Sequence, residues 1–246
     1  MRRLRFTQVI IIVLIVLSAV FFTLQYLIFH NLEEETFLIF QDLTFLPLEI
    51  LMVTFLLDRI LRNREKQERL QQIHIVISAF FNEIGTDTLR EMGAAISNRQ
   101  GIADKLDMKS GWAAKEFSGA AAAVKGYAFQ SSPDTQTLNA LRSHLPQKKA
   151  YLLQMFSNPN LLEHDTFTDM LWAMYHVIDE LENREDFGAL PHADIKHIGG
   201  DITRAYGLLA FEWVNYMKYL KARYPYLWSI AVRKNPFAEN SIVIAE

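Results

Sequence analysis

Histidine and carboxylate side chains recur at helical spacing in two stretches of the C-terminal half of the chain. His176 lies four residues before Glu180, and the same spacing separates His197 from Asp201. Residues four apart project from one face of an α-helix. Two facing helices that each offer an imidazole and a carboxylate can hold a divalent metal ion, as helical-bundle metal sites do. The sequence therefore marks these four residues as candidate metal ligands, and it indicates no other cofactor.

The same four residues also have a purely structural interpretation. The Glu-x-x-His spacing of helical di-metal sites is absent, and surface helices often carry histidines and acids four residues apart as salt-bridged faces. A further histidine, His164, lies between Glu163 and Asp165 at a predicted helix start, where it fits a helix cap better than a metal ligand.

A second group of polar residues lies inside an apolar stretch. Asp42 and Glu49 are seven residues apart, about two helical turns, and so project from one helix face. A charge at mid-bilayer costs at least ~2–3 kcal/mol, so these carboxylates should face protein or water. They can line an ion or proton path through an oligomer. Alternatively, a protonated Glu49 hydrogen-bonds between helices near Pro47, and Gln25 is a candidate partner for Asp42.

Two long apolar runs can position these intramembrane polar groups. They cover residues 6–29 and 37–61, and each is long enough to cross a bilayer, which takes ~20 apolar residues. The first run is too long for the core of a cleaved signal peptide. Basic residues flank both runs on the side away from the acidic connector at 30–36, so the positive-inside rule places both termini in the cytoplasm. The pattern predicts a transmembrane hairpin over 1–61.

The second span continues into a charged helical stem over 62–96. Its apolar residues recur at spacings of three and four and form one stripe. This stripe must pack either on the cytosolic domain of the same chain or on further copies in a bundle. The stripe consists of Leu70, Ile73, Ile77, Phe80 or Phe81, and Ile84.

The remaining residues predict a cytosolic helical domain over 97–234 and a loosely ordered tail over 235–246. Glycine and proline are sparse and alternating strand-like runs are rare, so we expect an all-α fold. The last long helix is predicted over 192–223, and Ser132 is the predicted N-cap of a helix that begins at Pro133. The aromatic residues at helical spacing are predicted to be core: Trp172, Tyr175, Tyr206, Phe211, Trp213, Tyr216 and Tyr219.

The composition excludes several functional classes. The chain has no cysteine, which rules out disulfides, iron–sulfur clusters and thiol catalysis. A net charge of −3 gives no reason to expect nucleic acid as a partner. Phosphate-loop, dinucleotide, serine-hydrolase and HExxH motifs are absent from the sequence.

We therefore expect a non-enzymatic, membrane-anchored interaction or regulatory module, with the lipid bilayer, further copies of itself and a cytosolic protein as partners. An oligomeric ion channel or transport component that uses Asp42 and Glu49 is one alternative. A metal-binding helical bundle that uses the four histidines and acids is the other.

Three stretches also carry a resemblance. They begin with QDLTFLPLEILMVTFLLDRIL, NPNLLEHDTFTDMLWAMYHVIDEL and GDITRAYGLLAFEWVNYMKYLKARYPYLWSIAVRKNPF. Together they resemble an uncharacterised family of small bacterial and archaeal integral membrane proteins. The resemblance implies a two-pass inner-membrane protein with a helical cytosolic domain, and it carries over no residue roles.

Overall fold

The computed structural model describes residues 13, 15–24, 26–27, 32–109, 111–162 and 164–238. They form helices joined by turns and short 3₁₀ segments, and no β-strand lies among them. The closest approach to a sheet is an isolated bridge between Ile96 and Ser131. The predicted all-α fold is therefore confirmed. The chain divides into two compact units, Met1–Lys66 and Gln67–Glu246.

The first unit is built from apolar helices. Helix α1 covers Ile15–Leu24, and α2 covers Leu32–Phe80 and so ends within the second unit. Within the described residues, one helical stretch, Thr36–Gly93, is long and apolar enough to cross a membrane by length and composition, and its apolar window is wholly exposed. Much of the predicted first span, 6–29, lies outside the described residues.

The second unit contains the end of α2, which packs on the bundle. Ile73, Ile77 and Phe80 of the predicted stripe are buried in its hydrophobic core. A π-helical turn, Phe81–Gly85, follows directly. The ring of Phe80 contacts Phe167 edge to face at 5.3 Å between centroids. From Ile73 onward the stripe therefore packs on its own chain, the first of the two predicted alternatives, whereas Leu70 is 38 % exposed.

Nine further helices of the described residues complete the bundle. The 3₁₀ segments between them are Asp104–Leu106, Leu145–Lys148 and Phe187–Ala189. The helices are α3 Thr86–Gly93, α4 Gln100–Ala103, α5 Ala114–Gly126, α6 Thr135–His144, α7 Lys149–Phe156, α8 Pro159–Leu162, α9 Asp165–Glu182, α10 His192–Arg223 and α11 Pro225–Arg233.

Helix α10 is the central element of the bundle, because α3, α5, α9 and α11 all pack against it. Its apolar residues recur every three or four positions, which gives a buried stripe from Ile198 to Leu220. The bounds predicted for this last long helix, 192–223, are confirmed. The stripe includes Ile198, Ile202, Ala205, Leu209, Trp213, Met217 and Leu220, all of which are buried.

Three local predictions were wrong. Asp134, not Ser132, caps α6, because its carboxylate accepts the Thr137 backbone N–H at 2.7 Å. Trp172 was placed in the core, yet 57 % of it is exposed. The packed bundle also extends past 234, because the ring of Phe237 is buried 5.3 Å from that of Trp213.

A matched pair of leucines tests the assignment of α10 as the core element. Leu209 is fully buried in α10, whereas 49 % of Leu153 in α7 is exposed. We expect Leu209→Ala to lower the free energy of unfolding by about 2–5 kcal/mol, since it leaves a cavity. Leu153→Ala should cost about 0.5 kcal/mol or less. Denaturant unfolding followed by circular dichroism measures both, and equal losses would contradict the assignment.

Candidate metal centre

Helices α9 and α10 bring the four predicted ligands together. His176 and Glu180 lie on α9, and His197 and Asp201 lie on α10. The Asp201 Oδ2 atom lies 3.3 Å from Nε2 of His176 and 3.4 Å from Nε2 of His197. These three ligand atoms all lie within 4.8 Å of one another. One carboxylate oxygen thus stands between two imidazole nitrogens that come from different helices.

Glu180 completes the cluster at a slightly longer range. Its Oε1 lies 4.0 Å from Nε2 of His176, and its Oε2 lies 3.9 Å from Nε2 of His197. The cluster therefore offers two nitrogen and two oxygen donors, one of each from each helix.

The distances around Asp201 match a tetrahedral metal site. Bonds of about 2.0–2.1 Å at tetrahedral angles place neighbouring ligand atoms about 3.3–3.4 Å apart. Both His–Asp201 separations fall in this range. An octahedral site with the same bond lengths would place adjacent ligands nearer about 3.0 Å. Glu180 is not part of the group whose ligand atoms all lie within 4.8 Å of one another, so its side chain would have to move to join the same coordination sphere.

Asp201 is the most buried member of the cluster. Its side chain is only 10 % exposed, and that of Glu180 is 21 % exposed. Among the described atoms, neither Asp201 Oδ2 nor Glu180 Oε2 has a hydrogen-bond partner. An unsatisfied buried oxygen costs about 1–3 kcal/mol, and more when it is charged. A cation between these oxygens would remove that cost.

Two arginines hold the carboxylates from outside the cluster. Arg204 Nη2 donates to Oδ1 of Asp201 at 3.0 Å, which leaves Oδ2 facing the histidines. Arg184 Nη1 lies 2.6 Å from Glu180 Oε2, but it donates to the Glu180 carbonyl at 2.7 Å and is not aligned with the carboxylate. Such outer contacts orient first-shell ligands in metal sites. The two positive charges also balance the two carboxylates when both histidines are neutral.

The imidazoles lie on the solvent side of the cluster. The side chain of His176 is 43 % exposed and that of His197 is 58 % exposed. A metal ion from solution can therefore reach the donors without opening of the bundle. The third histidine named from the sequence, His164, caps α9 through its Nδ1, which accepts the Phe167 N–H at 3.3 Å.

The predicted intramembrane group lies elsewhere in the chain. Asp42 and Glu49 are exposed on α2, in the first unit. Gln25 lies outside the described residues. The pathway and packing interpretations of these carboxylates both stay predictions.

The structure adds a polar cavity that the sequence interpretation missed. It has a volume of about 380 Å³ and is lined by His74, His164 and Glu212, among others. Glu212 is 1 % exposed, and its Oε1 accepts the Thr166 hydroxyl at 2.6 Å. Burial raises the pKa of Glu212, against the opposing effects of the Thr166 hydrogen bond and of His164. Its position three residues after Leu209 places it on the buried stripe of α10, and this spacing was the signal available in the sequence.

The fold and the cluster define a class: an all-helical protein in which a long N-terminal helix leads into a bundle that carries a His/carboxylate cluster. Two family models match this chain. One, described as "MJ1433, N-terminal helical domain", matches residues 2–61. The other, "Uncharacterized protein MJ1433, C-terminal helical domain", matches residues 69–233. The chain belongs to the MJ1433 family.

A relative supports the same assignment over the whole length. The chain is 35 % identical over 243 residues to "Uncharacterized protein MJ1433" of Methanocaldococcus jannaschii. The aligned region covers 98 % of this chain and 97 % of the relative. No solved structure matches the chain. The resemblance to an uncharacterised helical family is thus confirmed, while the two-pass membrane topology stays a prediction.

The buried Glu212 makes a testable contribution to stability. Because its pKa is raised on folding, the folded chain binds more protons than the unfolded chain once pH rises above about 4.3, the ordinary value for glutamate. Stability is therefore lost as pH rises from there to the folded pKa, at up to ~1.4 kcal/mol per pH unit. Glu212→Gln removes this dependence.

Denaturant unfolding from pH 4 to pH 8 measures the effect. The stability of Glu212→Gln relative to the native chain should increase with pH over this window. The exposed Glu185 supplies the control, and Glu185→Gln should show a constant difference. A constant difference for Glu212→Gln as well would show that Glu212 is not neutralised by burial.

Proposed function

We propose that this protein is a membrane-anchored metal-binding protein whose helical bundle holds a divalent transition ion, with Zn²⁺ the best match. Its ligands are His176, His197 and Asp201, with Glu180 as the fourth. The observation that carries the proposal is the buried, unsatisfied Oδ2 of Asp201 at tetrahedral ligand distance from two imidazole nitrogens. Imidazole and carboxylate donors in four-coordinate geometry suit Zn²⁺.

With Glu180 drawn in as the fourth ligand, the site would be closed by protein, as structural or regulatory sites are. Catalytic zinc sites keep one position open for water or substrate, whereas structural sites are closed by protein. An ion held by α9 and α10 together would cross-link the two helices at the centre of the bundle. It would also stabilise the fold by about 2.7 kcal/mol when free metal stands at 100 times the dissociation constant. This supports a non-enzymatic, metal-responsive module.

The exposure of α2 supports membrane anchoring. Phe37, Leu51 and Phe55 are each about two-thirds exposed, within a helix long enough to cross a bilayer. Exposing such an apolar surface to water is unfavourable in free energy, whereas lipid chains would cover it. We place both termini in the cytoplasm by the charge rule. Asp42 and Glu49 in the span support further copies as neighbours, and the channel alternative rests on the same two residues.

Zinc binding to the full chain tests the metal proposal. The protein, purified with a tag free of histidine, is stripped with chelator and titrated with Zn²⁺ by calorimetry, with elemental analysis for stoichiometry. We expect one ion per chain. Asp201→Asn and His176→Ala should each weaken binding by about 100-fold or more, because even second-shell changes cost about 10–100-fold.

His144→Ala is the matched control, since His144 is an exposed histidine on α6 outside the cluster. Its zinc affinity should equal that of the native chain. Native protein that binds no zinc, or an Asp201→Asn variant with unchanged affinity, would overturn the proposed metal centre.

Cysteine labelling tests the proposed topology, because the chain has no cysteine of its own. A single cysteine is placed in the connector by Glu34→Cys and in the bundle by Ser118→Cys. In intact cells a membrane-impermeant maleimide should label the first variant and not the second, and both should react after lysis. Labelling of both in intact cells, or of Ser118→Cys alone, would contradict a cytoplasmic bundle.

A further inference from the structure

A second cavity lies between the end of α5, the segment that follows it and α10. Its volume is about 540 Å³, which is within the range of pockets that bind small molecules. Most of its wall is apolar. That part of the wall includes Val124, Tyr127, Phe129, Leu208 and Phe211.

The charged residues at this cavity all have the same sign. Arg204 and Lys125 line it, and none of the described lining residues is an acid. An apolar wall with fixed positive charge favours a ligand that has an apolar body and a negative group. Arginine is suited to a carboxylate because its guanidinium can donate two parallel hydrogen bonds.

Arg204 also belongs to the metal centre, where it donates to Oδ1 of Asp201 at 3.0 Å. Its side chain is 56 % exposed and also lines the cavity, so the guanidinium is open to a ligand there while it holds Oδ1 of Asp201. The same guanidinium charge lies close to the position proposed for the metal ion, and it opposes a second positive charge there.

We propose that this cavity binds a small monoanion with an apolar, ring-sized body, and that the anionic group engages Arg204. Binding neutralises the Arg204 charge beside Asp201 and so strengthens metal binding at the neighbouring cluster. By linkage, the metal strengthens binding of the anion by the same factor. The coupling rests on the metal centre proposed above, whereas the binding of the anion does not.

Three probes of one size test anion recognition on the metal-free full chain in lipid nanodiscs. They are 2-naphthoate, neutral 2-naphthamide and cationic 2-naphthylmethylamine, each titrated by calorimetry against empty nanodiscs as the blank. We expect naphthoate to bind about tenfold more tightly than the amide, because charge-assisted hydrogen bonds are the stronger ones. Equal binding of naphthoate and the amide, or no binding of naphthoate, would overturn the proposal.

Two pairs of variants locate the site. Gly207 lines the cavity, and Gly207→Leu should abolish naphthoate binding by filling it. Gly119 on α5 has open space around it and does not line the cavity, so Gly119→Leu is the control. Arg204→Gln should remove the preference for naphthoate over the amide, whereas Arg204→Lys should keep most of it. Unchanged preference in Arg204→Gln would overturn the role of Arg204, even if Gly207→Leu fails to fold.

Zinc titration with and without saturating naphthoate tests the coupling. We expect zinc affinity to increase about fivefold with naphthoate, a typical coupling between sites, and the increase to vanish in Arg204→Gln. Naphthoate binding without an effect on zinc would overturn the sharing of Arg204. Naphthoate binding in a chain that binds no zinc would overturn the metal centre and the coupling while supporting the anion site.

Discussion

The buried stripe of α10, which runs from Ile198 to Leu220, is the constraint on which the bundle depends. Four other helices of the second unit pack against it. Its stripe of buried apolar residues supplies much of the core, so each polar residue on that stripe must be satisfied by other means. Asp201 and Glu212 meet this requirement differently. Asp201 has Arg204 and two imidazoles beside it, whereas the pKa of Glu212 is raised by burial, which favours its neutral form.

This arrangement places the functional candidates along one helix. The metal cluster, the polar cavity at Glu212 and the apolar cavity each have α10 as a wall. Arg204 is common to the first and the third. Arg204 is therefore the residue through which the metal cluster and the apolar cavity are in contact.

Several features could be predicted because they depend on local periodicity. The all-α fold, the bounds of α10 and the two His–acid pairs all follow from helical spacing. The wrong predictions concern positions where neighbouring residues compete for the same role, such as a helix cap or a place in the core. Ser132 and Asp134 both suit a helix start, and the carboxylate that reaches the Thr137 N–H is the cap. Trp172 has the right spacing for core, but its side of α9 faces outward against Phe156 at the surface.

The sequence by itself determined the elements, because apolar period, charge asymmetry and the absence of cysteine are properties of consecutive residues. It also determined which side chains share a helix face. Tertiary structure alone decided that the face of α9 with His176 meets the face of α10 with Asp201, which set the 3.3 Å separation between them. It also decided that Arg204 lies between two sites. Packing between helices depends on contacts between side chains far apart in the chain, and helical periodicity does not identify these contacts.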